Sequence, residues 1–403
     1  MVRQTGIYAS SRKGRLSVFW GDQVFLPPSV ENYKYDPTHH IDIMCTLLGD
    51  QAPTAQEWAD QGLDKYGVIA VLSAENGGVA EAAQVEKVSH ETATQMLEQL
   101  GTIAQVGPSL GSFSVSAAIL NGLCEEYATE LTEKVAKLDT DPHFWMPLTL
   151  PEASYIKLMS QKGVDEGTSR SHFARMKAFS ESFKTSQDAF ATNLGLFGAI
   201  DVGKDACWWD YGQLKLYSQN SLLLLEDENP ECKLLRKFLG ITEGPRYGVY
   251  ATDNVQHDHS YAFDCNLATG NVTDSILSRV TAREINADGA IIVNCAAPKI
   301  TAGKGAILYN LIGDKEIVAP PGKVCVGVSS EDGSSIEIAS KMDIDGGKAW
   351  KQVVEGNPLS FEEVRNQNMN ADISKVDLRR KELYQRFTEK IFQMPLKTTN
   401  DNK

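Results

Sequence analysis

Between residues 264 and 325, aliphatic side chains recur six residues apart in a background of small residues and glycine, and few folds accept that pattern. Ile285 and Ile291 form one such step; Ile300, Ala306 and Ile312 continue it after a nine-residue interval. Asn286-Ala287-Asp288-Gly289 and Thr301-Ala302-Gly303-Lys304-Gly305 fill the gaps with residues that suit tight turns. A six-residue period is the pattern of a parallel β-helix, where each coil stacks its inward aliphatic on the next. The nine-residue interval then loops out between coils. A run of short strands joined by glycine turns fits the same spacing, and periodicity alone leaves both open.

With 403 residues, 42% of them apolar, the chain can bury a large core and is expected to divide into two or three domains. A net charge of −14 argues against nucleic acid or an anionic membrane as the main partner, since a phosphate surface needs a dense basic face. A small phosphorylated ligand needs only one or two well-placed cations and stays open. The seven cysteines are scattered and never spaced CxxC, which suits a reducing compartment and buried thiols better than a disulfide framework or a zinc site. No stretch reaches the roughly 18 apolar residues of a membrane span. Met1 to Gly6 has no apolar run of signal-peptide type, so a cytoplasmic protein is expected.

Leu16 to Trp20 reads as a short buried strand ending at Gly21-Asp22, and Gly67 to Leu72 as another. Ser116 to Leu138 has the apolar spacing of one amphipathic helix, interrupted by Gly122, and Leu138 to Pro142 ends it. Ser160 to Ser186 is polar and reads as a helical or loop insertion. Strand-like and helix-like stretches alternate up to about Gly240, which predicts an α/β layer arrangement. Further on, Ser360 to Glu363 forms a capping-box pattern, and Val376, Leu383, Phe387 and Ile391 give a helix over 376–392 one apolar side.

Two acids each follow an apolar run and lie within two residues of a glycine: Asp22, after Gly21, and Asp210, before Gly212. Carboxylates at strand ends suit Mg²⁺, which takes a few oxygen ligands and keeps room for water and substrate phosphates. Lys87, beside Glu86, can meet a phosphate as a point charge. Any one of these is more often a turn or surface residue, so the constellation carries the reading.

The order Gly21-Asp22, Tyr66-Gly67, Glu86-Lys87, Gly111-Ser112-Phe113-Ser114-Val115 and Trp208-Trp209-Asp210-Tyr211-Gly212 resembles the second half of the sugar-1-phosphate nucleotidyltransferase (NDP-sugar pyrophosphorylase) family. The segment that follows resembles the left-handed β-helix often appended to it. The resemblance implies an incomplete, Rossmann-like nucleotidyltransferase layer domain over 1–245, a short left-handed parallel β-helix over 246–335 and a helical extension over 336–403. By it, Asp22 and Asp210 hold the catalytic Mg²⁺, and Lys87 grips the sugar-linked phosphate with Glu86 near the sugar hydroxyls. Gly111 and Ser112 lie under the sugar ring, and Trp209 and Gly212 belong to the substrate-binding turn. The implied reaction, a step in nucleotide-sugar biosynthesis, transfers a nucleotidyl group from a nucleoside triphosphate to a sugar-1-phosphate and releases pyrophosphate. Homo-oligomers built through the β-helix accompany that resemblance.

The sequence departs from the family in two places. Lys87 is followed by Val88 where the family commonly has proline. The family's glycine-rich nucleotide loop lies far upstream of the metal acid, and only 21 residues precede Asp22. The expectation is therefore either part of a longer enzyme or a catalytically inactive relative that binds nucleotide sugar or supports assembly. A β-helix acyltransferase needs a histidine in its coils, and residues 264–325 contain none. Leu138 to Pro147 is rich in acids and aromatics and reads as either a sugar-pocket lining or a rigid connection. His39-His40-Ile41-Asp42 has metal-ligating residue types without a partner cluster and is expected to be a solvated turn.

Overall fold

The computed structural model describes residues 14–26, 37–49, 53–60, 63–64, 66–74, 79–86, 88–133, 141–184, 194–241, 249–251, 254–344 and 346–393. It divides into two units, Met1–Trp208 and Trp209–Lys403. The first is a mixed α/β layer region of Rossmann-like type and the second is dominated by a parallel β-solenoid, in agreement with the predicted fold class.

The first unit begins with β1 (Arg15–Val18), β2 (Gln23–Leu26) and β3 (His39–Cys45). A short helix, α1 (Ala55–Asp60), leads to β4 (Gly67–Leu72), β5 (Ala82–Glu86), α2 (His90–Leu97) and the 14-residue β6 (Ile103–Ser116). Helices α3 (Ala117–Glu126), α4 (Ala128–Glu133), α5 (Met146–Thr149), α6 (Glu152–Gln161) and α7 (Glu166–Lys184) follow, then β7 (Gly195–Asp201) and β8 (Cys207–Asp210).

The sheet runs β5-β4-β6-β3-β7, with β1 added to β6. β6 is long enough to pair with β4 through Ile103–Pro108 and with β1 through Phe113–Ser116. Successive β4 residues project to opposite faces, as strand geometry requires. Val68 and Ala70 join a cluster with Trp58, Tyr155 and Leu158, whereas Ile69 joins Ile41, Ile43, Met176 and Phe197 on the other side. Both faces are covered, which explains the near-continuous apolar strands.

The helix expected over Ser116–Leu138 is two helices within the described residues, parted at Tyr127 and opened by the Ser116 side chain accepting from Ile119 N–H. Gly122 has a packing cause, because a Cβ there would stand 2.7 Å from the Phe183 ring. The Ser160–Ser186 insertion is mainly α7. The Leu138–Pro147 connection contains a π-helical turn, Asp141–Trp145, that frees backbone carbonyls. Tyr127 Oη and His172 Nε2 bond to His143 O, and Tyr155 Oη to Pro142 O, at 2.7, 2.9 and 2.9 Å. Residues 138 to 140 lie outside the described residues.

In the second unit, α8 (Leu214–Leu222) and α9 (Pro230–Leu239), closed by Gly240 at φ +72°, precede the solenoid. Its strands are β9 (Val249–Ala251), β10 (Val255–Asp258), β11 (Tyr261–Phe263), β12 (Cys265–Thr273), β13 (Ile276–Ser278), β14 (Thr281–Asp288), β15 (Ile291–Val293), β16 (Ala296–Ala302), β17 (Ile307–Tyr309), β18 (Ile317–Ala319) and β19 (Lys323–Ser329). They form two parallel sheets, and the antiparallel β20 (Ser335–Lys341) closes one of them.

The stacking period differs from the predicted six. Leu277 pairs with Ile292, Ile292 with Leu308 and Leu308 with Cys325, so successive coils are 15, 16 and 17 residues apart. That column lies in the solenoid core, as does Ile285–Ile300–Ile317. Ile285 and Ile291, six apart, do not stack. Ile291 belongs to the outward column Ile276–Ile291–Ile307–Val324, where it packs with Leu214, Tyr217 and Leu222 of α8. Asp264, Arg279, Asn294 and Asn310 recur once per coil at φ +52° to +54°, and Asp and Asn tolerate that left-handed corner well.

Two further helices, α10 (Phe361–Asn368) and α11 (Ile373–Ile391), complete the unit. The Ser360–Glu363 capping box is present in full. The expected apolar side of α11 faces the solenoid, where Tyr384 Oη donates to Arg279 O at 2.8 Å.

Candidate functional site

The sheet register gathers several predicted residues around Gly111. Gly111 sits in β6 between the stretch paired with β4 and the stretch paired with β1, and its φ of +76° bends the strand there. Its amide donates to Ser109 Oγ at 3.1 Å. Val18 pairs with Phe113, which brings the turn Gly21-Asp22 back toward the bend. Gly67 pairs with Glu86, and Val68 with Pro108, so the start of β4 and the end of β5 approach the same part of β6. Contact with the turn is direct: a Cβ on Gly111 would stand 2.9 Å from Trp20 Nε1 and 3.8 Å from Gln23 Nε2. Asp22 is exposed and Ser112 is buried. Lys87 lies outside the described residues.

Part of the Trp208–Gly212 segment reaches this unit, because the Trp208 ring meets Tyr66 edge-on at 5.3 Å. The Trp208 indole N–H is buried without an acceptor among the described residues. Trp209 is 3% exposed and donates its indole N–H to Glu231 Oε2 at 3.0 Å, so its polar edge is engaged within the second unit. Asp210 Oδ1 accepts the Gly212 amide at 2.7 Å, which closes a tight Asx turn. Burial raises the Tyr211 phenol above its ordinary value.

The two predicted metal acids belong to different units. Among the described residues, no group of three or more His, Cys, Asp or Glu side chains is placed to hold a metal ion.

The largest departure from expectation is His39–Asp42. It is no solvated turn: it is the first half of β3, with His39, His40 and Asp42 each at most 4% exposed. Arg15 Nη2 meets Asp42 Oδ2 at 2.9 Å, while His39 Nδ1 stands 3.3 Å from Asp42 Oδ1 and 2.8 Å from Thr38 Oγ1. His39 Nε2 donates to the Ala80 carbonyl at 3.0 Å, since a carbonyl oxygen only accepts. His40 Nδ1 bonds to Ser116 Oγ at 2.7 Å. Glycine makes room for the ring, since a Cβ on Gly198 would fall 2.0 Å from His39 Nδ1. The signal in the sequence was Ile41 and Ile43 alternating with polar residues in a strand-length run, which the adjacent histidines masked.

No protein-family model matches the chain, and no curated protein does. Among solved structures it is similar to a mannose-1-phosphate geranyltransferase from Thermus thermophilus, at 13% identity and a TM-score of 0.20. That match covers 75% of this chain and 56% of the other, so the chain spans little more than half of that protein's length.

Proposed function

We propose that the chain is a protein of the sugar-1-phosphate nucleotidyltransferase type, acting on a sugar-1-phosphate and a nucleoside triphosphate with release of pyrophosphate. The observation that carries this reading is the convergence of the Gly21-Asp22 turn, the Gly67–Glu86 strand pair and the Gly111 bend on one part of β6. Those are the segments whose order in the chain resembles the family's sugar-phosphate site. In this reading residues 1–245 bind substrate, 246–335 form the appended β-helix and 336–403 the helical extension. Gly111 leaves room for Trp20 beside the turn, and Asp22 and Glu86 are assigned to polar groups of the sugar. Lys87 offsets phosphate charge. Attack by the sugar-phosphate oxygen on the α-phosphate calls for alignment and charge neutralisation, with no covalent intermediate on the protein.

A second reading, a nucleotide-sugar-binding or assembly subunit without turnover, is favoured by one observation. Asp210 commits a carboxylate oxygen to its own turn. Thermal unfolding of the 403-residue chain against a panel of sugar-1-phosphates and nucleotide sugars, with and without Mg²⁺, tests both. A melting point raised by a sugar phosphate and lowered again by Asp22→Asn supports the site. Pyrophosphate release from the same ligand with a nucleoside triphosphate selects the enzyme over the binding subunit. No shift with any ligand of the panel would overturn both readings.

A further inference from the structure

We infer that Trp20 is the stacking platform for the pyranose ring of the bound sugar phosphate, a role that rests on the site proposed above. Trp20 and Phe19 are 45% and 64% exposed where β1 runs into the Gly21-Asp22 turn. An exposed indole is ordinarily free to change rotamer, but this one is seated. Its Nε1 stands 2.9 Å from where a Cβ on Gly111 would sit, so a side chain at position 111 would push it away. Gly111 also holds a φ of +76° inside a strand, a conformation other residues adopt only with strain. Two uncommon features, a left-handed glycine within β6 and a half-exposed indole, are thus one arrangement.

The neighbours specify what the indole face would meet. Asp22 and Gln23 come just after Trp20, beyond Gly21, and the Gln23 amide also lies near Gly111. An aromatic face beside a carboxylate and an amide matches a pyranose, which presents a C–H face to the ring and hydroxyls to the polar groups.

The test compares sugar-1-phosphate affinity, read by tryptophan fluorescence and thermal shift, in the full chain and in Trp20→Ala and Trp20→Phe. Trp20→Ala should weaken sugar-1-phosphate binding about tenfold, the factor that a stacking contact of this size gives, and leave the ligand-free melting point unchanged. Trp20→Phe, which keeps a flat ring, should recover most of the affinity and lose most of the fluorescence change. Equal affinity in wild type and Trp20→Ala would sink the platform while leaving the proposed site intact. Loss of nucleoside triphosphate binding with sugar-phosphate binding unchanged would assign the ring to the base and overturn the inference too. Failure of the wild type to bind any sugar phosphate would refute the proposed function itself, and the platform with it.

Discussion

Arg15 and Asp42 form an ion pair at 2.9 Å in the interior of the first unit, with side-chain exposures of 6% and 2%. The pair joins β1 to β3 across β6, and Arg15 adds bonds to Ser114 Oγ and the His39 carbonyl at 2.9 and 2.7 Å. Charges buried this deeply are tolerated only when their remaining hydrogen-bonding groups are satisfied, as they are here. Removing one partner should therefore cost more than removing both. Arg15→Met is expected to destabilise the unit by about 3–5 kcal/mol, and the double variant Arg15→Met/Asp42→Leu by less than the sum of the single changes. Urea unfolding of the four members of the cycle measures this, and simple additivity would contradict it.

The solenoid should be intolerant of side chains where its coils touch. A Cβ on Gly270, at φ +131°, would fall 1.8 Å from the Ile285 carbonyl oxygen of the next coil, and backbone cannot swing aside. Gly270→Ala should cost at least about 3 kcal/mol, at the upper end for overpacking. Gly240→Ala makes the useful contrast. Its φ is +72° with open space around it, so only backbone strain of about 1 kcal/mol is expected. Chemical denaturation that ranked the two variants alike would argue against the close coil contact.

Core and flank of the same solenoid strand should respond differently. Leu308 is fully buried between Ile292 and Cys325, whereas its neighbour Tyr309 is 37% exposed. Leu308→Ala should lose about 2–5 kcal/mol through transfer and cavity formation. Tyr309→Ala should lose much less, since it leaves the stacked column untouched. Coils stabilise one another through their neighbours, so the Leu308 variant should lower the unfolding transition of the whole solenoid. A purely local increase in amide exchange at β17 would contradict that expectation.

Two histidines should give the units opposite responses to pH. The His259 imidazole is held above its ordinary pKa of 6.5, first by its 2.6 Å bond to Asp274. Its stabilisation is fully present below pH 6.5 and lost as pH rises through the higher folded value. The pair is about half exposed, so salt should screen it. His172 is shifted the other way, first by burial, which disfavours its protonated form in the folded chain. The unfolded chain binds that proton more readily, so the first unit should lose stability as pH falls below 6.5. Melting curves from pH 5 to 9 for Asp274→Asn and His172→Phe separate the two contributions. An unchanged pH profile in both variants would count against them.

Much of the architecture was readable because it follows from local rules. The strand Gly67–Leu72, the capping box at Ser360 and the apolar side of α11 each depend on neighbours within a few residues. The small-residue and glycine texture after Asp264 fitted both a parallel solenoid and a run of short strands, and the family resemblance favoured the solenoid. The solenoid's period was not readable, because stacking is decided by which strands pair. Ile285 and Ile291 are six apart in the chain yet project to opposite sides of the coil wall.

The candidate site divides in the same way. Gly21-Asp22, Glu86 and Gly111 were recognisable as short motifs by their order in the chain. That Gly111 seats Trp20 depends on two strands meeting in register, and nothing near either residue in the sequence announces it. Asp42 is the sharpest case. Beside two histidines it looked like a solvated turn residue, whereas burial on both faces of the sheet made it the partner of Arg15, 27 positions earlier. Local patterning settles which segments become strands, helices and turns, because those choices involve bonds among near neighbours. Which polar side chains lie inside, and which of them meet, is settled only when distant strands pack and water is removed between them.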